Sequence, residues 1–120
     1  MADVDELTLF DKIVAGAIPC TKVYEDDLAL AFRDIAPAAP IHVVVVPKDR
    51  AGLTRLSKMT KEHSALVGHL MWVASEVGRQ EGLADDGYRI VINDGAAAGQ
   101  TVFHLHIHVI GGRSLTWPPG

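Results

Sequence analysis

The sequence has one cysteine, Cys20, so no disulfide can form within the chain. It also lacks an apolar run near the ~18–20 residues that a bilayer span needs; its longest strongly apolar piece is Val43 to Val46. There is no surplus of basic charge. Eleven Lys and Arg against 15 Asp and Glu leave a formal charge of −4, which gives no sequence-wide field to hold nucleic acid. The start, MADVDELT, has neither the basic n-region nor the apolar h-region of a signal peptide. From these absences we expect a reducing compartment, cytosol or nucleus, with no nucleic-acid and no membrane partner. No repeat, low-complexity tract or linker divides the 120 residues, so a single domain over 1–120 is expected. With 48% hydrophobic residues, a chain of this size can build a real core. Cys20, beside Pro19, has no neighbour placed to make it a thiolate and reads as a small buried residue.

Thr8 with Asp11 predicts a short capped helix whose apolar side is Leu9, Ile13 and Phe10, ending at Gly16. Strands are expected at Thr21 to Glu25 and Leu28 to Arg33, joined by the Asp26-Asp27 turn. The segment DIAPAAP, with two prolines, must be a loop, and His42 to Val46 a buried strand. Leu66, Leu70, Val73 and Val77 fall in one arc at 100° per residue and predict a long helix from Thr60 to Glu81, stopped at Gly82 with Leu83 as its hydrophobic contact. Trp72 lies off that arc; it marks either a partner surface or a ring lying over its own domain. Tyr88 to Asn93 and Thr101 to Ile110 complete the strands, with the small-residue loop Asp94 to Gln100 between them. This pattern is α+β, an antiparallel sheet with helices on one face.

The last strand reads VFHLHIHVI. Side chains alternate across a strand, so His104, His106 and His108 would share one face at ~6.6–6.8 Å steps, with Phe103, Leu105, Ile107 and Val109 on the other. Three readings compete. The imidazoles are incidental hydrogen-bonders; or two of them, with His42, share a zinc ion; or one is a nucleophile near pH 7 whose neighbours orient it or supply a proton. The loop favours the third, because Gly95, Ala96, Ala97, Ala98 and Gly99 let backbone N–H groups approach an anion. A phosphorus centre attacked by imidazole, with no metal and no cofactor, is the economical chemistry. His63 and His69, on the long helix, are expected at exposed or rim positions.

HLHIHVI, at His104 to Ile110, matches the histidine triad pattern. The chain resembles the histidine triad (HIT) family, and within it the Hint branch of nucleoside phosphoramidases. The likeness also runs through LFDKIVAGAIPC, AFRDIAPAAPIH, GYRIVINDG, GQTVFHLHIHVIGGR and the terminal WPPG. It implies a five-stranded antiparallel sheet with one long and one short helix, joined sheet to sheet in a homodimer. It implies a hydrolase that cleaves the P–N bond of purine nucleoside phosphoramidates: AMP or GMP joined to an amine such as lysine, and also aminoacyl-adenylates. By the same resemblance His106 is the nucleophile, His108 contacts the phosphate and the leaving amine, His104 orients the pair, and His42 bonds into the triad. Asp34 holds the ribose hydroxyls and Ile35 lines the base pocket. Phe10, Ile13, Ile18 and Phe32, with Leu9, form the purine slot. Asn93, Gly99, Gln100 and Thr101 hold the phosphate. The branch usually carries Ser where Thr101 stands here, so an added methyl crowds the leaving-group side. Two alternatives stay open: a dinucleoside polyphosphate hydrolase of a sister branch, and a nucleotide-binding scaffold whose partners meet Trp72 or the WPPG tail.

Overall fold

Thr8 starts helix α1 (Leu9–Val14) as the sequence requires. Its hydroxyl accepts the Asp11 N–H at 3.2 Å, and the Asp11 carboxylate accepts the Thr8 N–H at 2.8 Å. Gly16, at φ +81°, ends the helix in a Schellman turn: its N–H donates to the Ile13 carbonyl and that of Ala17 to the Lys12 carbonyl. Helix α2 (Ser64–Gln80) closes the same way, Gly82 donating to Arg79 and Leu83 to Gly78. It begins later than expected. Residues Lys61–His63 form a 3-10 turn instead, in which the His63 ring accepts the Thr60 N–H at 2.9 Å. The computed structural model describes residues 7–120; the acidic start at 1–6, part of the basis for the expected compartment, lies outside the described residues.

Five antiparallel strands form one sheet, in the order β1 (Lys22–Glu25), β2 (Ala29–Arg33), β3 (Ile41–Pro47), β5 (Ile107–Gly111), β4 (Tyr88–Val91). Alternation along the strands splits the apolar residues into two cores. Ala29, Ala31, Val43, Val45, Leu105, Ile107 and Val109 pack under Leu70, Val73 and Val77 of α2. Leu30, Phe32, Val44 and Val46 face the other way and pack under Phe10 and Ile13 of α1. The expectation that both helices cover one face is therefore corrected. Strands β2 and β3 are buried at nearly every position, so both faces need a cover, and α1 supplies the second.

The last strand is shorter than expected. The ladder stops at the Val45–Ile107 pair on one side and the Val91–His108 pair on the other. Before Ile107 the backbone bonds elsewhere: Leu105 N–H donates to the Leu53 carbonyl at 2.9 Å, and the Phe103 carbonyl accepts from Arg50 at 3.1 Å. His104 and His106 thus stand on irregular chain, although Leu105, Ile107 and Val109 still share the α2 core. The loop after Asp94 contains a 3-10 turn, Ala96–Ala98, between two glycines at positive φ.

Trp72 packs against its own domain on one side. Its ring stacks on His69 at 5.8 Å and meets Tyr24 edge-on, and remains 51% exposed. Beneath it Asp26 accepts from Tyr24 Oη at 2.7 Å and lies 2.6 Å from His69 Nε2. Burial pushes this carboxyl up, but the Tyr24, His69, Leu28 and Ala29 hydrogen bonds outweigh that and bring it to about 2. No helix among the described residues is long and apolar enough to cross a membrane.

Gly78 lies in α2 against Tyr88. A Cβ there would fall 2.6 Å from Tyr88 Cε1, so the ring would have to shift. Helix propensity alone would gain ~1 kcal/mol from Gly78→Ala. Overpacking costs ~1–3 kcal/mol and should win. The variant should show a lower urea midpoint; an unchanged or higher one would mean that the ring moves aside freely.

Candidate active site

Strand register brings the imidazoles together. His108 pairs with Val44 and Val91, and His42 pairs with Ile110, so His42 and His108 are diagonal neighbours on the α1 face. Their ring nitrogens, His42 Nε2 and His108 Nδ1, lie 2.8 Å apart. Backbone groups then fix where the protons are. The Ala38 N–H donates to His42 Nδ1 at 3.0 Å, so neutral His42 carries its proton on Nε2 and gives that hydrogen bond to His108 Nδ1. His108 must therefore bear Nε2–H. That buried atom has no partner in the protein among the described residues, which makes it a donor waiting for a ligand.

The same logic settles His106. Its Nδ1 is 2.7 Å from the His104 carbonyl. A carbonyl only accepts, so Nδ1 carries the proton and Nε2 keeps a lone pair. Burial lowers the His106 pKa, against the opposing pull of the His104 hydrogen bond and Asp34, so the ring is neutral at pH 7. Phe10 of α1 meets it edge-on at 4.9 Å, and His108 lies at 4.9 Å on another side. His104 is fully buried; its Nε2–H donates to the Pro47 carbonyl at 3.0 Å.

His106 and His108 line a cavity of about 280 Å³ with Leu9, Phe10, Ile13, Ile18, Phe32, Asp34, Ile35 and Thr101. Its size is near the lower edge of the ~300–1,000 Å³ of ligand sites. Asp34 reaches it from the proline loop, with Oδ1 accepting the Ala36 N–H at 2.8 Å and Oδ2 lying 3.5 Å from His42 Nε2. Ile35 is 97% exposed at the rim. Cys20, expected to be simply buried, is half-buried and lines the cavity with Pro19, Val44 and Val102. Two larger grooves among the described residues carry no histidine.

Three of the expected phosphate-holding residues stand apart from that cavity. Both amide hydrogens of Gln100 go to backbone carbonyls, Thr54 at 2.8 Å and Val102 at 3.1 Å, while its oxygen accepts the Gly95 N–H at 2.8 Å. Gln100 is a brace for the loop, buried because its polar groups are all satisfied within the chain. Asn93 lines a separate groove beside Arg89, Arg113 and the tail. Gly99 closes the 3-10 turn in the left-handed region and lies outside the cavity lining. Thr101 remains at the cavity. The loop is anchored by Asp94, which pairs with Arg55 at 3.2 Å and also takes Ser57 N–H and Oγ–H. Arg55 and Ser57 hold the Asp94 carboxyl well below the usual carboxylate range.

Sequence reasoning missed a second role for the α1 cap. Asp11 Oδ1 and Thr8 Oγ1 each lie 3.3 Å from His104 Nδ1, and Arg50 Nη2 lies 3.4 Å from Asp11 Oδ2. The capping box was visible; its partners 39 and 93 positions further along the chain carried no local signal. For a metal, Asp34, His42 and His108 form one group of facing ligand atoms, all within 4.8 Å. The two nitrogens are hydrogen-bonded at 2.8 Å, whereas a tetrahedral zinc holds its nitrogens about 3.3 Å apart. The arrangement seen is that of the hydrogen bond.

Fold and site together define a histidine triad protein: a five-stranded antiparallel sheet whose final strand, with the irregular stretch leading into it, brings His106 and His108 to a cavity and buries His104. The chain belongs to the HIT family, whose HIT domain model matches residues 15–115. It is 53% identical over 116 residues to the adenylylsulfatase HINT1 of Arabidopsis thaliana, covering 97% of this chain and 78% of that protein. It is 53% identical, also over 116 residues, to a 14 kDa zinc-binding protein of Zea mays, covering 97% and 90%. Its fold superposes on the HIT family hydrolase of Legionella pneumophila with a TM-score of 0.90, at 43% identity over 93% of this chain and 98% of that one. The chain is a HIT family hydrolase.

The buried imidazoles make stability depend on pH. Burial first, then the neighbouring His106 and His42, bring His108 down to about 4, against Asp34. In the unfolded chain the value returns to ~6.5. Between those values the unfolded state binds more protons, so stability is complete above ~6.5 and falls as pH drops toward 4. His104 and His106, both lowered chiefly by burial, act in the same direction. The His108 ring resonances should titrate near pH 4, and the urea midpoint should decline across this window. A midpoint near 6.5 for His108 would show that the ring is not held neutral.

Proposed function

We propose that the chain hydrolyses purine nucleoside phosphoramidates through a nucleotide bound covalently to His106. The observation that carries this is the His106 Nδ1–H bond to the His104 carbonyl, which leaves a neutral Nε2 lone pair at that cavity. The purine lies between Phe10, Ile13, Ile18 and Phe32, with Ile35 at its edge, and Asp34 accepts the ribose hydroxyls. His106 Nε2 forms a bond to the α-phosphorus as the P–N bond to the amine breaks. The His108 Nε2–H, set there by the His42 hydrogen bond to Nδ1, passes its proton to the departing nitrogen, and the water that attacks in the second step restores it. Water then attacks phosphorus and the nucleotide leaves His106. Across both steps the water oxygen ends on the nucleoside monophosphate and a water proton on the amine. Thr101 faces the phosphate; its methyl narrows the side from which the amine departs.

The relative named as an adenylylsulfatase supports a site for adenylyl groups with varied leaving groups. The proposal includes a homodimer, built on the open edge of β4, and a cytosolic or nuclear location.

His106→Gly should lose turnover of an adenosine phosphoramidate by several orders of magnitude, while AMP still binds by calorimetry. Rapid quench of the wild type should yield protein heavier by one nucleotidyl group. Full activity in the variant would end the covalent mechanism. Adenylylsulfate and a diadenosine polyphosphate should be assayed beside the phosphoramidate, and faster turnover of either would reassign the substrate.

Asp34→Asn should bring ribo- and deoxyribonucleotide substrates closer together. An unpaired buried acceptor costs ~1–3 kcal/mol, about 5–150-fold in preference. Discrimination that survives the substitution would remove Asp34 from the ribose.

A further inference from the structure

We propose that Arg50 is a positioning residue for the nucleophile, itself held by Asp11; the inference rests on His106 as the reacting group. The stretch that presents His106 lies outside the sheet ladder, which stops at Ile107. Residues 103–106 therefore depend on single contacts for their geometry. The Phe103 carbonyl accepts Arg50 Nη1–H at 3.1 Å, the His104 ring donates to the Pro47 carbonyl at 3.0 Å, and Leu105 N–H donates to the Leu53 carbonyl at 2.9 Å. The His104 carbonyl is thereby aimed at His106 Nδ1, 2.7 Å away.

Arg50 ties the backbone of this stretch to α1, beside the contacts that the His104 ring makes with Asp11 and Thr8. Its Nη1 holds Phe103 while its Nη2 lies 3.4 Å from Asp11 Oδ2. The Arg50 and Asp11 side chains are only 10% and 16% exposed, so solvent screens them little. The other Asp11 oxygen flanks His104 Nδ1 at 3.3 Å. A planar guanidinium serves a carbonyl and a carboxylate at once in a fixed geometry; an ammonium reaches one or the other. Without Arg50 the peptide before His104 turns freely. The His104 carbonyl then drifts from His106, and the ring takes up Nε2–H in part of the population. That tautomer has no lone pair facing the cavity.

The test uses Arg50→Met, Arg50→Lys and Asp11→Asn in the full chain. Two quantities are read: kcat and KM on an adenosine phosphoramidate, and the His106 tautomer in the free enzyme from nitrogen-15 imidazole spectra. In Arg50→Met, kcat should fall ~10–100-fold with KM little changed, and the His106 signal should shift from Nδ1–H to a mixture. Arg50→Lys should recover part of both. Asp11→Asn, which keeps its shape, should give a smaller loss of the same kind, and it carries the test if Arg50→Met does not fold. A folded Arg50→Met or Asp11→Asn with wild-type kcat and a pure Nδ1–H signal would overturn the inference. The tautomer needs no substrate. A shifted tautomer in a protein that never cleaves phosphoramidates would leave the positioning role standing and sink the proposed reaction instead.

Discussion

A single hydrogen bond, from His106 Nδ1 to the carbonyl two residues before it, decides what the cavity can do. An imidazole has two nitrogens and, when neutral, one proton. Whichever nitrogen donates to a carbonyl is spent, and the other is left as a base or nucleophile. In a continuous strand the His104 carbonyl would be committed to, or averted by, the ladder. Here the ladder ends one residue after His106, so that carbonyl is free for the ring. The break in the strand and the chemistry of the site are one fact.

The electrostatics follow from the same economy. The chain carries a net charge of −4, and an anionic ligand gains nothing from that. What the cavity offers is a neutral lone pair at His106 and the unmatched His108 Nε2–H. Both depend on the rings staying uncharged, which burial enforces. The proton order along Ala38, His42 and His108 is imposed from the backbone end, by an amide that can only donate. The acidic group that opposes this is Asp34, whose pull on His106 and His108 is outweighed by burial.

Much of this was legible in the residues. Caps at Thr8, Gly16 and Gly82 are local, and their hydrogen bonds are those the residue types call for. The apolar arc of α2 and the β-branched run of β3 needed no tertiary knowledge. The histidine spacing gave the side on which the imidazoles lie. What the sequence could not show was where pairing stops. Residues Thr101 to His106 look like strand because Val, Phe and His alternate there, yet their backbone groups meet Leu53 and Arg50 instead of a neighbouring strand. Gln100 was expected at the phosphate because the family resemblance implies it. Its three bonds to Gly95, Thr54 and Val102 show how a buried amide can be satisfied within the chain. Asp11 and Arg50 escaped notice for a related reason: a residue already explained by a local motif attracts no second explanation.

Helix α1 is six residues long, well under the ~12–15 that an isolated helix needs to persist in water. Its order is borrowed from Phe10 and Ile13 docked on the sheet and from Asp11 beside His104. Detachment of this one turn and a half would be a sub-global opening, far below the free energy of unfolding the sheet. It would strip one wall from the cavity and the polar support from His104 in the same motion. One short helix would then couple the local stability of the fold to the shape of its cavity.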